Sequence, residues 1–155
     1  MALTQPGWFN DTMLKALSNT IALNLADTTP GAFKGALFEA AASPNFSQSN
    51  PAYGSSPFDS NESSGPGYTA GGADLTVTSF AELSGAANKI SWQFEEVEWT
   101  ESTIDAAGLL IYVPSLSSRA VLLRIFGSTY STADGVFSVE FPAEGVWQQV
   151  LRTTA

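Results

Sequence analysis

From residue 73 to residue 152 the chain is written in short alternating apolar and polar runs, and that rhythm constrains the fold more than any other feature. Leu75, Val77 and Ser79 alternate with Thr76, Thr78 and Phe80, as in a half-buried strand. Ile90, Trp92 and Phe94 share one face, but Val97 and Trp99 fall in the opposite phase. A one-residue slip between Phe94 and Val97, the signature of a β-bulge, brings all five to one side. Residues 108–113 form a nearly continuous apolar run, as expected of a strand covered on both faces. Residues 120–126 form another, broken only by Arg124. Val136, Ser138 and Glu140 then alternate with Phe137, Val139 and Phe141, and residues 146–151 read as a closing strand. Turn residues punctuate the series at 85–88 and 142–145. Several short strands with turns between them predict a mainly β fold, an antiparallel β-sandwich of jelly-roll-like type.

Upstream, Trp8, Phe9, Met13, Leu14 and Leu17 recur at the spacing of one helical face, which predicts a short N-terminal helix over residues 11–18. Asn10 or Asp11 is the expected cap, and Ser18-Asn19 the expected stop. Ile21, Leu23 and Leu25 alternate with Ala22, Asn24 and Ala26, a strand pattern, and residues 32–39 read as the next strand after a turn at 27–31. Between these and the alternating region lies a 32-residue stretch, 41–72, with eight Ser, five Gly and four of the eight Pro. Proline cannot donate in a central sheet, so this is a loop, and loops of that length are uncommon unless functional or disordered. It also carries Phe46, Tyr53, Phe58 and Tyr68. Four exposed rings would cost solubility, so the loop is expected to be ordered against its own domain or a neighbour. The 155 residues are read as a single domain: an arm and helix over 1–19, a sandwich from 20–40 and 73–152, and the long loop between.

Composition narrows function by its zeros. The chain has no His and no Cys, which removes Ser-His-Asp and Cys-His catalysis, histidine or thiolate metal sites, and disulfides. Only 14 % of residues are charged, against the ~25 % usual in globular domains, and the net charge is −9. Such a chain repels phosphate backbones, so no nucleic-acid partner is expected. No apolar stretch approaches the ~20 residues of a membrane span, and the first twelve residues lack the pattern of an export signal. No membrane partner, small-molecule substrate or cofactor is expected, and production in a reducing cytoplasm suits the missing cysteines.

The remaining polar clusters have plain readings beside their chemical ones. Glu96 and Glu98 on one strand would stand about 6.5 to 7 Å apart, within the range of glycosidase carboxylate pairs, but a solvated face opposite Trp92, Phe94, Val97 and Trp99 explains them as well. Asp59, Asn61 and Glu62 offer oxygens to calcium, yet lack a full ligand loop; turn-making accounts for the same residues. The glycines of residues 65–72 have no Lys and no following helix, so close backbone approach explains them better than a phosphate cradle. Of the four tryptophans, which might stack on sugars, three sit in core-like alternation. Trp8, beside Phe9 and outside the strand-rich body, is the better candidate for touching a partner. Arg124 must reach an edge or pair with a glutamate.

The loop motif Asn61-Glu-Ser-Ser-Gly-Pro-Gly-Tyr-Thr-Ala-Gly-Gly72 resembles a recurrent stretch in small structural proteins of tailed bacteriophages, Asn-Glu-Val-Ser-Gly-x-Gly-Tyr-x-x-Gly-Gly followed by a strand. Residues 32–38, 41–54, 99–112, 119–127 and 134–139 resemble further pieces of that family in the same order, and the likeness covers most of residues 20–151. Ser63 departs from the valine common there, and Glu95-Glu96, in the strand before Trp99, is a second departure. The resemblance implies a non-enzymatic virion component on the capsid surface: a decoration (cement) protein bound to the major capsid protein and to itself, homotrimers being a natural arrangement, or alternatively a tail-associated protein. A carbohydrate-binding module is the more remote reading. Under the decoration reading the protein-interface residues are Trp8, Phe9, Phe46, Tyr53, Phe58 and Tyr68.

Overall fold

The alternating residues do form strands. The structure is a computed structural model that describes Leu3, residues 5–83, Gly85 and residues 89–150. Its elements are β1 (Gly7–Trp8), α1 (Asn10–Leu17), β2 (Phe33–Phe38), β3 (Ala73–Leu75), β4 (Val77–Glu82), β5 (Lys89–Phe94), β6 (Val97–Ser102), β7 (Asp105–Val113), β8 (Arg119–Ser131), β9 (Gly135–Val139) and β10 (Trp147–Val150). A five-stranded sheet in the order β1-β8-β7-β2-β3 faces a three-stranded sheet β10-β5-β4 and the pair β6-β9. Every pairing among the described residues is antiparallel. The fold is mainly β and sandwich-like, with one helix.

β6–β7 and β8–β9 are the two limbs of one long hairpin, running from Val97↔Val139 to Val113↔Arg119 with register shifts in both ladders. Its limbs bend where the sheets change. There Thr132 N–H donates to the Ile104 carbonyl at 2.9 Å, the Ser102 and Thr132 hydroxyls share a bond of 2.9 Å, and Asp134 N–H donates to Thr103 Oγ1 at 2.9 Å.

Alternation sorts the side chains of the large sheet into two cores. Leu37, Leu109, Ile111 and Val121 face Trp92, Phe94, Val97, Trp99, Phe137 and Val139 across the sandwich. Ala36, Phe38, Leu110, Tyr112 and Leu123 point the other way, onto Phe9 and Phe58. The apolar run 108–113 is thus buried on both faces. The layer over its second face contains no strand pair of its own; it is the long loop together with the N-terminal segment.

Several expectations need correction. Residues 21–26 form no strand: the Asn24 and Asp27 side chains accept from Ala26 and Thr29 N–H, so local turns capture the backbone while Leu23 and Leu25 pack on the core. The phase change after Phe94 is not a bulge within one strand. Glu95 and Glu96 join β5 and β6, which belong to different sheets, and Trp92, Phe94, Val97 and Trp99 are all buried. Glu96 and Glu98 therefore do not share a strand. The helix starts at Asn10, with Phe9 in the cap position and no capping side chain. Trp8 does not lie outside the body: it pairs with Leu122 in β1, and its ring stacks on Trp92 at 5.5 Å and meets Trp147 edge-on at 4.9 Å. The closing strand is observed through Val150, and Leu151 lies outside the described residues, as does most of the turn at 85–88. No helix among the described residues is long and apolar enough to cross a membrane.

Candidate functional site

The family-like motif folds into a polar node. Asn61 adopts a left-handed conformation, φ 61°, and the next residue, Glu62, turns inward. One carboxylate oxygen accepts from the Tyr68 hydroxyl at 2.8 Å and from Gly71 N–H at 2.7 Å; the other accepts from the Tyr53 hydroxyl at 2.8 Å. Tyr68 in turn accepts from Leu37 N–H of β2 at 2.9 Å, and Tyr112 of β7 donates to the Gly71 carbonyl at 2.8 Å. The Tyr53 and Tyr112 rings stack at 4.7 Å. The buried Ser63 hydroxyl donates to the Asp105 carbonyl at 2.6 Å.

Two of the motif's glycines are demanded by contact. At Gly72, φ 71°, a Cβ would overlap the Gly35 carbonyl oxygen; at Gly65, φ 142°, it would overlap that of Thr103. The motif fastens the loop to β2 and to the β6–β7 corner. Both Glu62 oxygens are already engaged, and among the described residues no cluster of three acidic side chains is placed to hold a metal ion.

Burial, and then the bond to Glu62, pushes the Tyr53 phenol above its ordinary range; burial and the Glu62 charge do the same to Tyr68. Burial and the same charge push Tyr112 up to about 12. All three phenols are neutral donors at physiological pH, and their bonds clasp the loop to β2 and β7.

A second node fastens the helix. The Asp11 carboxylate accepts from Arg119 at 2.9 Å and from Asn50 N–H at 3.0 Å, and pairs with Lys15 at 3.0 Å. Lys15 and Arg119 both also donate to Asn50 Oδ1. Burial raises the Asp11 carboxyl, but the bonds from Lys15, Arg119 and Asn50 outweigh it and hold the group below the usual carboxylate range. Helix, loop and β8 meet at this point.

Of the six rings expected at an interface, Phe9 and Phe58 are fully buried, with Phe9 also against Phe46 at 5.1 Å. Phe46 and Tyr53 pack onto that second core, and Trp8 and Tyr68 onto the first. The structure draws these rings together, but inside the molecule. What it exposes instead belongs to the helical face read in the sequence: Leu14 and Leu17, one helical turn apart, are 68 % and 80 % exposed. The helix buries Thr12, whose hydroxyl donates to the Ala120 carbonyl at 2.6 Å, and turns its leucines outward. Tyr130 and Val136 are the other large exposed apolar side chains among the described residues.

The four tryptophans offer no open stacking platform, since Trp92 and Trp99 are buried and Trp8 and Trp147 pack on the first core. Glu96 accepts a short bond from Ser138, and Glu98 is exposed. Arg124 reaches an edge, donating to the Glu140 carbonyl at 2.8 Å and lying over the Phe141 ring. No family model, curated protein or solved structure matches the chain.

Proposed function

We propose that this chain is a non-catalytic structural component of a tailed-phage virion: a capsid decoration protein that binds the outer surface of the major capsid protein, as a homotrimer, and stabilises the head. One observation carries the proposal that it works by docking: a helix clamped at Asp11 that turns Leu14 and Leu17 to solvent. An eight-residue helix with its polar threonine inward and its leucines outward is the inverse of what a surface helix needs, unless a partner covers it. The motif resemblance supplies the identity of that partner, and the closely fastened loop suits a protein that resists force on a particle surface.

The test is to locate the chain in intact virions by mass spectrometry and electron microscopy, and to measure binding of the purified protein to empty heads. The double change Leu14→Asp, Leu17→Asp is expected to abolish head binding and to leave the folded spectrum intact. Presence on tails alone, or head binding that survives the double change, defeats the proposal.

A further inference from the structure

β8 and β9 are successive parts of one limb of the long hairpin, and the chain bends between them at residues 132–134. β8 pairs with β7 and, at Leu122 and Leu123, with β1; among the described residues β9 pairs with β6 alone. Beyond Ile125, β8 swells away from β7, four residues (126–129) standing between the pairs Gly108↔Ile125 and Ala106↔Tyr130. The space left between β8 and β9 is a cleft of about 500 Å3. Phe126 and Phe137 line it, and Tyr130 and Val136 are its exposed rims.

The edge of β9 is unguarded. Gly135–Val139 holds no charged residue and no proline, the usual devices that keep an edge strand from pairing. It also belongs to a sheet of only two strands, which is marginal without a third. At the cleft's end Arg124 is half-buried, and burial alone lowers the guanidinium's pKa. Lys15, Lys34 and Arg119 each have a carboxylate within 3.5 Å, whereas among the described residues Arg124, like Lys89, has none in ion-pair range. Its neighbours are the Glu140 carbonyl and the Phe141 ring. The acidic groups nearby belong to the opposite wall: Glu140 itself, and Glu96 bonded to Ser138.

We propose that an extended segment of a partner protein adds a strand to the free edge of β9 in this cleft and sets a carboxylate against Arg124. The backbone edge supplies hydrogen bonds that any sequence can satisfy, Phe126 and Phe137 supply apolar contact, and Arg124 supplies the charge preference. This inference is independent of the exposed helix and of any virion.

The probe is a fluorescein-labelled peptide alternating valine and threonine around a central glutamate, with a lysine-centred counterpart, each titrated against the full chain and followed by anisotropy. The glutamate peptide is expected to saturate and to bind roughly tenfold more tightly than the lysine peptide. Arg124→Gln is expected to erase that preference, and Val136→Glu to weaken both peptides. Amide exchange of the unaltered chain is expected to slow at residues 135–139 when the glutamate peptide is present, a reading that does not depend on either variant folding. No saturation below about 1 mM, equal affinity for the two peptides, or slowing confined to other strands overturns the proposal. So does a dimer seen by sedimentation and broken by Val136→Glu, because a second copy would then occupy the edge.

Discussion

The large sheet is covered on its two faces by quite different means. On one, strands of two smaller sheets set Trp92, Phe94, Trp99 and Phe137 against it, and their ladders satisfy the backbone. On the other, a loop rich in proline and serine does the same with Phe46, Tyr53 and Phe58, joined by Phe9. In place of continuous ladders that loop has isolated bridges, Phe38↔Glu62 and Ala52↔Arg119, and scattered backbone bonds, with side chains fastening it further: Glu62 and the tyrosines at one end, Asp11, Asn50 and Arg119 at the other. Irregular chain can serve as a full packing layer when its polar groups are fastened at a few points. The cost is that each fastening matters individually, whereas a ladder spreads its stability over many bonds.

The sharpest way to break this comparison is to empty both faces. Trp99→Ala is expected to cost roughly 3 to 5 kcal/mol, and Phe58→Ala roughly the same, because both rings are buried. Chemical denaturation measures both, and a loss below about 1 kcal/mol for Phe58→Ala would mean that the loop is a cover and not a core layer. Glu62→Ala comes next. It leaves two phenols and the Gly71 N–H without their acceptor, and is expected to cost roughly 2 to 3 kcal/mol, with hydrogen exchange accelerated in residues 53–71 more than in β5 or β6.

Alkali provides a gentler version of the same experiment. The tyrosines of the node keep their protons above the ordinary value near 10, so above that pH the folded chain binds more protons than the unfolded one. Their stabilising effect is whole below about pH 10 and is lost as pH rises through the folded values. Melting followed against pH is expected to fall there, with the loop face opening first. Glu62→Ala should make that fall shallower without abolishing it, since the Glu62 charge adds to burial in raising the phenols.

The smallest effect belongs to the helix node. Asp11 has a lowered pKa, so its stabilising effect is present above about pH 4 and lost as pH falls below it. The pairs are partly exposed, and Asp11→Asn is expected to cost only about 1 kcal/mol. It should remove most of the acid sensitivity of α1 in helical signal.

Much of the architecture was legible from patterning, because strand alternation and an unbroken apolar run report burial directly. The run at 108–113 announced a strand covered twice, and the loop's four rings announced that it would be ordered. Patterning does not say what does the covering. Trp8 and Phe9 read as an outlying arm, since their neighbours in the sequence are not strands; pairing of Trp8 with Leu122, over a hundred residues away, brings them in. Leu14 and Leu17 read as part of one helical face by their spacing, but eight residues make too short a helix for its own periodicity to choose which side turns inward. The choice fell to Thr12, whose hydroxyl meets the Ala120 carbonyl, and to Asp11, held by Arg119. Glu62 was one of fifteen acidic residues; its only local signal was the company of Tyr68 and Gly71 in the motif.

Residue order alone settles most of the strands and turns, and that no histidine or thiol chemistry is available, because these depend on neighbours a few positions apart and on what the chain contains. Which rings are hidden, which leucines are shown, and which sheet edge stays open are decided by contacts between segments thirty to a hundred residues apart. Those contacts compete for the same faces, and only the assembled packing determines which of them wins.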